Sequence, residues 1–269
     1  AIVLACFGSV IEQQKYLDLE DKIVEKFPDC DVFTSFSSRM VIKLLKKKKN
    51  EEYKNLPQTL ADIDMLGYKH ISVVSINIFP TDEHEVLKKI VDGFKIFSLA
   101  NISFTNALLT KTKETTAFLK DLNNQVSKED TANLYVIHGT PRLDTIGIDS
   151  ISYTASFLEL ISENNFTCSL EGAYPYFQVN DAIKSKIEKL GLKKVQVIPL
   201  LLVSGNHYIN DMFEIKEDLE DKFEAFIVPS ITQSEQFNLI ELPMIQTFIE
   251  KNIQDSFRMM GISHKEFTY

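Results

Sequence analysis

The chain has 269 residues, 44% of them hydrophobic and 25% charged, an ordinary globular composition with length for two domains of common size. A net charge of −9 argues against nucleic acid as the main partner, because phosphate binding needs a basic face. No segment reaches the ~18 uninterrupted apolar residues of a membrane span.

Ile2–Phe7 is a continuous apolar run, as expected of a strand buried on both faces. No basic region or small-residue cleavage site precedes it, which predicts a cytoplasmic chain. Cys6, Cys30 and Cys168 point the same way. They are odd in number and lack CxxC spacing, so they fit reduced thiols better than a disulfide framework or a zinc–thiolate site. After Gly8-Ser9, apolar residues recur at helical spacing from Ile11 to Phe27. Asp31–Phe36 reads as a second strand, and Ser37 or Ser38 can cap a helix running towards Lys48. The basic cluster Lys46–Lys49 suits the solvated end of that helix. Pro57 opens a further helix that Gly67 closes. His70–Phe79 is the third strand, followed by a helix from Asp82 through Asp92; Ile102–Leu109 predicts a fourth strand and Thr112–Gln125 the helix after it.

The polar stretch Ser127–Ala132 resets the chain, and the alternation begins again. Leu134–His138 is a strand, Asp149–Glu163 a helix, Thr167–Leu170 a short strand and Val179–Leu190 a helix closed by Gly191. Val195–Val203 is a strand interrupted by Pro199, Ala225–Val228 another, and Leu239–Phe257 a long final helix with Pro243 in its first turns. The halves resemble each other: Phe7-Gly8-Ser9 matches His138-Gly139-Thr140, and His70-Ile-Ser-Val-Val matches Lys194-Val-Gln-Val-Ile. The expected fold is α/β, with two similar doubly wound domains over 1–128 and 129–269. Each is a parallel sheet flanked by helices, and a ligand cleft lies between them; the final helix falls in the second domain.

Three ligand-type side chains follow successive strands of the second half: His138, Glu171 in Ser169-Leu-Glu-Gly172, and His207 in Ser204-Gly-Asn-His-Tyr-Ile-Asn-Asp211. In open α/β sheets, ligands sit outside the carboxyl ends of the strands, so the three can converge. Two imidazoles and a carboxylate suit a first-row divalent ion such as Co²⁺, Fe²⁺, Ni²⁺ or Zn²⁺. Gly139 allows a tight turn after His138. Asp211, four residues past His207, can orient the imidazole, or it can merely charge a helix start.

The constellation resembles the anaerobic sirohydrochlorin cobaltochelatases, class II chelatases related in fold to ferrochelatase. The resemblance rests on His138-Gly139-Thr140, Glu171-Gly172 and Gly205-Asn-His207-Tyr-Ile-Asn210-Asp211, together with the opening strand and its Phe-Gly-Ser. It implies that His138, Glu171 and His207 hold the incoming metal and carry the catalysis. The segment Ile78–His84 lacks the glycine associated with the family there. Arg142, His84, Gly139 and Thr140 are the candidates for substrate binding. His70 and His264 are left as structural or exposed.

The implied reaction inserts Co²⁺ into sirohydrochlorin for cobalamin biosynthesis. It has no permanently bound cofactor and no nucleotide requirement, consistent with the absence of a P-loop or GxGxxG. The partners are a tetrapyrrole and a divalent ion; homo-oligomerisation stays open. A neutral histidine is needed both as ligand and as base for the pyrrole protons, so activity should fall below a pH of ~6.5, the ordinary histidine pKa. Fe²⁺ insertion for sirohaem is the alternative reaction. A non-enzymatic tetrapyrrole, haem or metal carrier is the alternative class, since fold does not fix function.

Overall fold

The structure, a computed structural model, describes residues 1–205, 208–232 and 234–262. In chain order the first elements are β1 (Ile2–Cys6), α1 (Gln13–Lys26), β2 (Val32–Phe36), α2 (Arg39–Lys49), α3 (Leu56–Met65), β3 (His70–Ile76), α4 (Asp82–Phe97) and β4 (Asn101–Phe104). There follow α5 (Thr112–Val126), β5 (Thr131–Gly139), α6 (Ile148–Ile161), β6 (Asn165–Glu171), α7 (Tyr176–Lys189), β7 (Lys194–Leu200), α8 (Phe213–Glu220), β8 (Glu224–Ile227) and α9 (Pro243–Met259). No helix among the described residues is long and apolar enough to cross a membrane.

The strands form two parallel four-stranded sheets of the same topology, β2-β1-β3-β4 and β6-β5-β7-β8. The order bears out the repeat read from the sequence. The continuous apolar run in β1 has the reason expected of it: β1 pairs in parallel with β2 and β3, and all five of its residues are buried. In the second sheet β5 occupies the same place between β6 and β7. Pro199 is tolerated in β7 because β8 pairs only as far as Val197↔Ile227, so on that side no ladder partner is lost at the proline.

The domain limits differ from the expected 1–128 and 129–269. One unit comprises Ala1–Leu108 and the chain from Pro243; the other is Leu109–Leu242. The polar stretch Ser127–Ala132 is therefore a connection inside the second unit. Helix α5 belongs to the strands after it. Asn123 Oδ1 accepts from Tyr135 Oη and Asn165 Nδ2, both at 2.8 Å, and the Val126 carbonyl accepts from Gln196 Nε2 at 2.7 Å. Helix α9 belongs to the first sheet, not to the second domain as expected. It packs across β3 and β4, burying Ile245, Phe248, Ile249, Ile253 and Phe257. Its polar residues are matched as well: Ser256 donates to Ser72 at 2.5 Å and meets Ser103, and Asn252 donates to the Asn106 carbonyl at 3.2 Å.

Element ends shift in places. β3 stops at Ile76 and β4 at Phe104, short of the predicted Phe79 and Leu109. The apolar residues beyond, Phe79 and Ala107–Leu109, are buried without being strand. The final helix begins at Pro243, in the first-turn position that proline favours, after a separate 3₁₀ turn over Leu239–Glu241.

Candidate metal centre

The second sheet reverses its winding between β5 and β7: from β5 the chain moves outward to β6, then returns to lay β7 on the other side. Ligands of such sheets bind at the carboxyl edge beside this switch point. His138 lies in the last two residues of β5, and Glu171 ends β6. His138 Nδ1 is 3.6 Å from Glu171 Oε1, and each side chain is 45% exposed. Two donors about 2.1 Å from one ion lie roughly 3.0–3.4 Å apart at octahedral to tetrahedral angles, so a shared ion needs only a small movement of either side chain.

Two glycines fix this approach. Gly139 has φ +81°, and a Cβ there would lie 2.0 Å from the Glu171 carbonyl oxygen. Gly172 has φ +82°, and a Cβ there would lie 1.8 Å from the Thr140 carbonyl oxygen. Each candidate ligand is thus followed by a glycine whose missing side chain admits the other loop's backbone. The His-Gly and Glu-Gly pairs are two sides of one contact.

The remaining candidates fall differently. Thr140 is buried, and its hydroxyl meets that of Thr145 at 3.2 Å, which also bonds the Arg142 carbonyl. It ties its own loop together. Arg142 is exposed and grips Asp144 with two hydrogen bonds, Nε–Oδ1 at 2.9 Å and Nη2–Oδ2 at 2.7 Å. The guanidinium holds the Asp144 carboxyl below the usual range. His84, a candidate for substrate binding, is buried in the first unit. Its Nδ1 is 2.7 Å from Ser75 Oγ, its ring leans on Phe104 with centroids 4.9 Å apart, and burial lowers its pKa. These contacts hold the imidazole within its own unit. His207 and Asn206 lie outside the described residues, as does His264. Asp211 stands half-buried in the π-helical turn Tyr208–Met212 that leads into α8. Among the described residues no group of three metal-type side chains forms; the described part of the candidate centre is the pair His138–Glu171.

One feature escaped the sequence reading. Tyr174, three residues past Glu171, is 74% exposed and has φ +59°. The Glu-Gly-Ala-Tyr-Pro order holds the only hint, an aromatic residue in a turn ahead of a proline.

Comparison with known proteins follows the same lines. The sirohydrochlorin cobaltochelatase of Salmonella typhimurium is 22% identical over 217 residues, 79% of each chain. SirB from Bacillus subtilis with Fe3+ shares the fold with a TM-score of 0.67 at 14% identity, over 95% of this chain and 94% of that one. The sirohydrochlorin chelatase SirB from Bacillus subtilis subspecies spizizenii, in complex with cobalt, gives 0.63 at 13% identity over the same shares. Residues 1–251 match the cobalt chelatase (CbiK) family. A match of that extent takes in both sheets and the first half of α9: the chain belongs to the cobalt chelatase (CbiK) family and is a metal-inserting enzyme.

Proposed function

We propose that this enzyme inserts Co²⁺ into sirohydrochlorin, with His138, Glu171 and His207 as the residues that hold the ion. The observation that carries the reading is the half-exposed His138–Glu171 pair, 3.6 Å apart, beside the switch point of the second sheet. The similar Salmonella enzyme supports the choice of tetrapyrrole and metal.

The chemistry asks two things of the protein. It must bind the ion reversibly, since the ion leaves for the macrocycle. Neutral imidazole and a solvent-reachable carboxylate do this for first-row divalent ions without the tenacity of thiolates. It must also take up the two protons that leave the pyrrole nitrogens as the metal–nitrogen bonds form. Glu171 and His138 stand at the ion and are the nearest bases. As the ion passes to the ring, each freed ligand becomes a proton acceptor, so one pair of residues serves both steps. Asp211 is assigned the orientation of His207. Arg142 is assigned a substrate carboxylate; its exposed pairing with Asp144 is the kind that contributes little, so exchange of one carboxylate for another is easy.

The test is a visible-spectrum time course with sirohydrochlorin and Co²⁺ under anoxic conditions. Wild type should turn over many times, and His138→Ala, Glu171→Gln and His207→Ala should each lose roughly 100-fold or more in kcat/KM. A spectral change that saturates at one equivalent without metallation would replace the enzyme reading with a carrier. Repeating the course with Fe²⁺ should give the lower kcat/KM; the reverse order would move the reaction to iron.

A further inference from the structure

We infer that Tyr174 is a substrate-positioning residue whose ring packs on a face of the tetrapyrrole at the His138–Glu171 pair. The inference rests on the reaction proposed above and adds to it a residue that fixes where the macrocycle lies.

The first observation is backbone strain. Tyr174 and Asn50 are the non-glycine residues with positive φ among the described residues. Asn50 is an amide-bearing helix C-cap, where that conformation is common. Tyr174 has no such excuse: a large aromatic residue in the left-handed region is costly, and a following proline biases a residue towards extended backbone. The conformation is nonetheless pinned. The Ser169 N–H donates to the Tyr174 carbonyl at 3.0 Å, Ser169 Oγ donates to the Ala173 carbonyl at 2.7 Å, and Pro175 bridges back to Ser169. The loop is folded onto the strand that ends in Glu171. Glycine would make the same turn with less strain.

The second observation is the exposure of the side chain. Three-quarters of Tyr174 is in solvent, so the ring adds little to the core. The chain retains a strained aromatic that folding does not use, next to a residue that the reaction does. Strain of this kind is characteristic of sites where the surroundings over-determine a geometry for function. Other large apolar side chains on the same two loops and the helix after them are exposed too: Leu143 and Ile146 in the loop after His138, and Phe177 at the start of α7. The two loops carrying these apolar side chains are held together by the Gly139–Glu171 and Gly172–Thr140 contacts. A flat conjugated macrocycle has apolar faces and a charged rim, and an exposed aromatic ring three residues past Glu171 suits a face.

The test uses the full chain with Tyr174→Ala, Tyr174→Gly and Tyr174→Phe, reading KM for sirohydrochlorin, kcat, Co²⁺ affinity and Tm. Alanine and glycine should raise KM roughly three- to tenfold, leave kcat at saturation within about twofold and leave Co²⁺ affinity unchanged. Phenylalanine should restore the wild-type KM. The glycine variant should keep or raise Tm while it loses substrate affinity, an opposition that a merely structural residue would not give. Unchanged KM in both truncations would overturn the assignment. So would a loss of Co²⁺ affinity in step with KM, because the loop would then be supporting Glu171. A wild type that does not metallate sirohydrochlorin overturns the proposed reaction itself, and this inference with it; an active wild type with unmoved variants overturns the role of Tyr174 alone.

Discussion

At Gly139 two costs of a side chain coincide, and they can be separated. A residue with a Cβ at φ +81° is strained wherever it sits, by about 1–2 kcal/mol. At this position the Cβ would also lie 2.0 Å from a backbone oxygen of Glu171, which cannot rotate away. Gly191 in the same unit has φ +72° and nothing within 4 Å of its would-be Cβ, so Gly191→Ala bears the strain alone. Gly139→Ala should therefore cost about 3 kcal/mol or more in urea unfolding, against about 1 kcal/mol for Gly191→Ala. It should also weaken Co²⁺ binding by pushing the ends of β5 and β6 apart, which Gly191→Ala should not do. Equal costs at the two positions would show that the strand ends relax around an added methyl. The sequence offered both glycines as companions of candidate ligands. It did not reveal that each makes room for the other's loop, because the contact joins residues 139 and 171, far apart in the chain. The burial of Thr140 and His84 was hidden for a related reason: residue type and strand-end position are visible in a sequence, but burial of a particular hydroxyl or imidazole depends on neighbours from other elements.

Helix α8 leads away from the turn that contains Asp211, and beside its buried Ile215 and Leu219 it is attached to α7 by a polar cluster. Asp218 accepts from Lys184 Nζ at 2.8 Å, from Tyr176 Oη at 2.7 Å and from Asn180 Nδ2 at 3.2 Å, three residues along α7. Lys184 also donates to the Asp218 carbonyl at 2.7 Å and is buried. Burial pushes the Asp218 carboxyl up, but the hydrogen bonds from Lys184, Tyr176 and Asn180 outweigh it, and the net shift is downward. A carboxyl with a depressed folded pKa contributes stability that is present above its unfolded value, ~3.9, and lost as pH falls through the lower folded value. Lys184→Met leaves the carboxylate without its cation and should cost about 2 kcal/mol near neutrality, a figure reduced for the solvent that still reaches Asp218. The loss should shrink in acid, as the wild type forfeits the same contribution. Urea midpoints at pH 7 and pH 3.5 for both proteins measure this; a difference that does not change with pH would assign the cost to packing of the lysine stem. At this scale the sequence was informative about periodic elements: the helices and the parallel strands appear where alternation and helical spacing placed them. It overextended β3 and β4 because buried apolar residues continue past the last strand pairing, and period alone cannot say where pairing stops.

For the molecule as a whole, the repeated sheet topology was legible because the repeat recurs in the order of elements, but the division between units was not. A drop in hydrophobicity at Ser127–Ala132 looks the same whether it links two domains or turns within one. An amphipathic helix such as α9 does not state which sheet it covers; the buried Ser256, hydrogen-bonded to both Ser72 and Ser103, decides it. The consequence is an asymmetry. The second unit is one continuous segment, 109–242, with its own core of Leu134, Val136, Val195, Val197, Ile187 and Ile215. The first is completed only when the chain returns from Pro243. Residues 109–242 expressed alone should unfold cooperatively in urea and bind Co²⁺ within several-fold of the full chain, since His138 and Glu171 and the contacts that hold them are all internal to it. A chain ending at Leu242 should behave differently along its length. It uncovers the apolar face of β3 and β4 and leaves Ser72 and Ser103 without Ser256, so amide exchange should accelerate throughout β1–β4 while β5–β8 keep their protection. Parallel loss of protection in both sheets would mean that the two units fold as one, and the discontinuous division would then describe packing without describing stability.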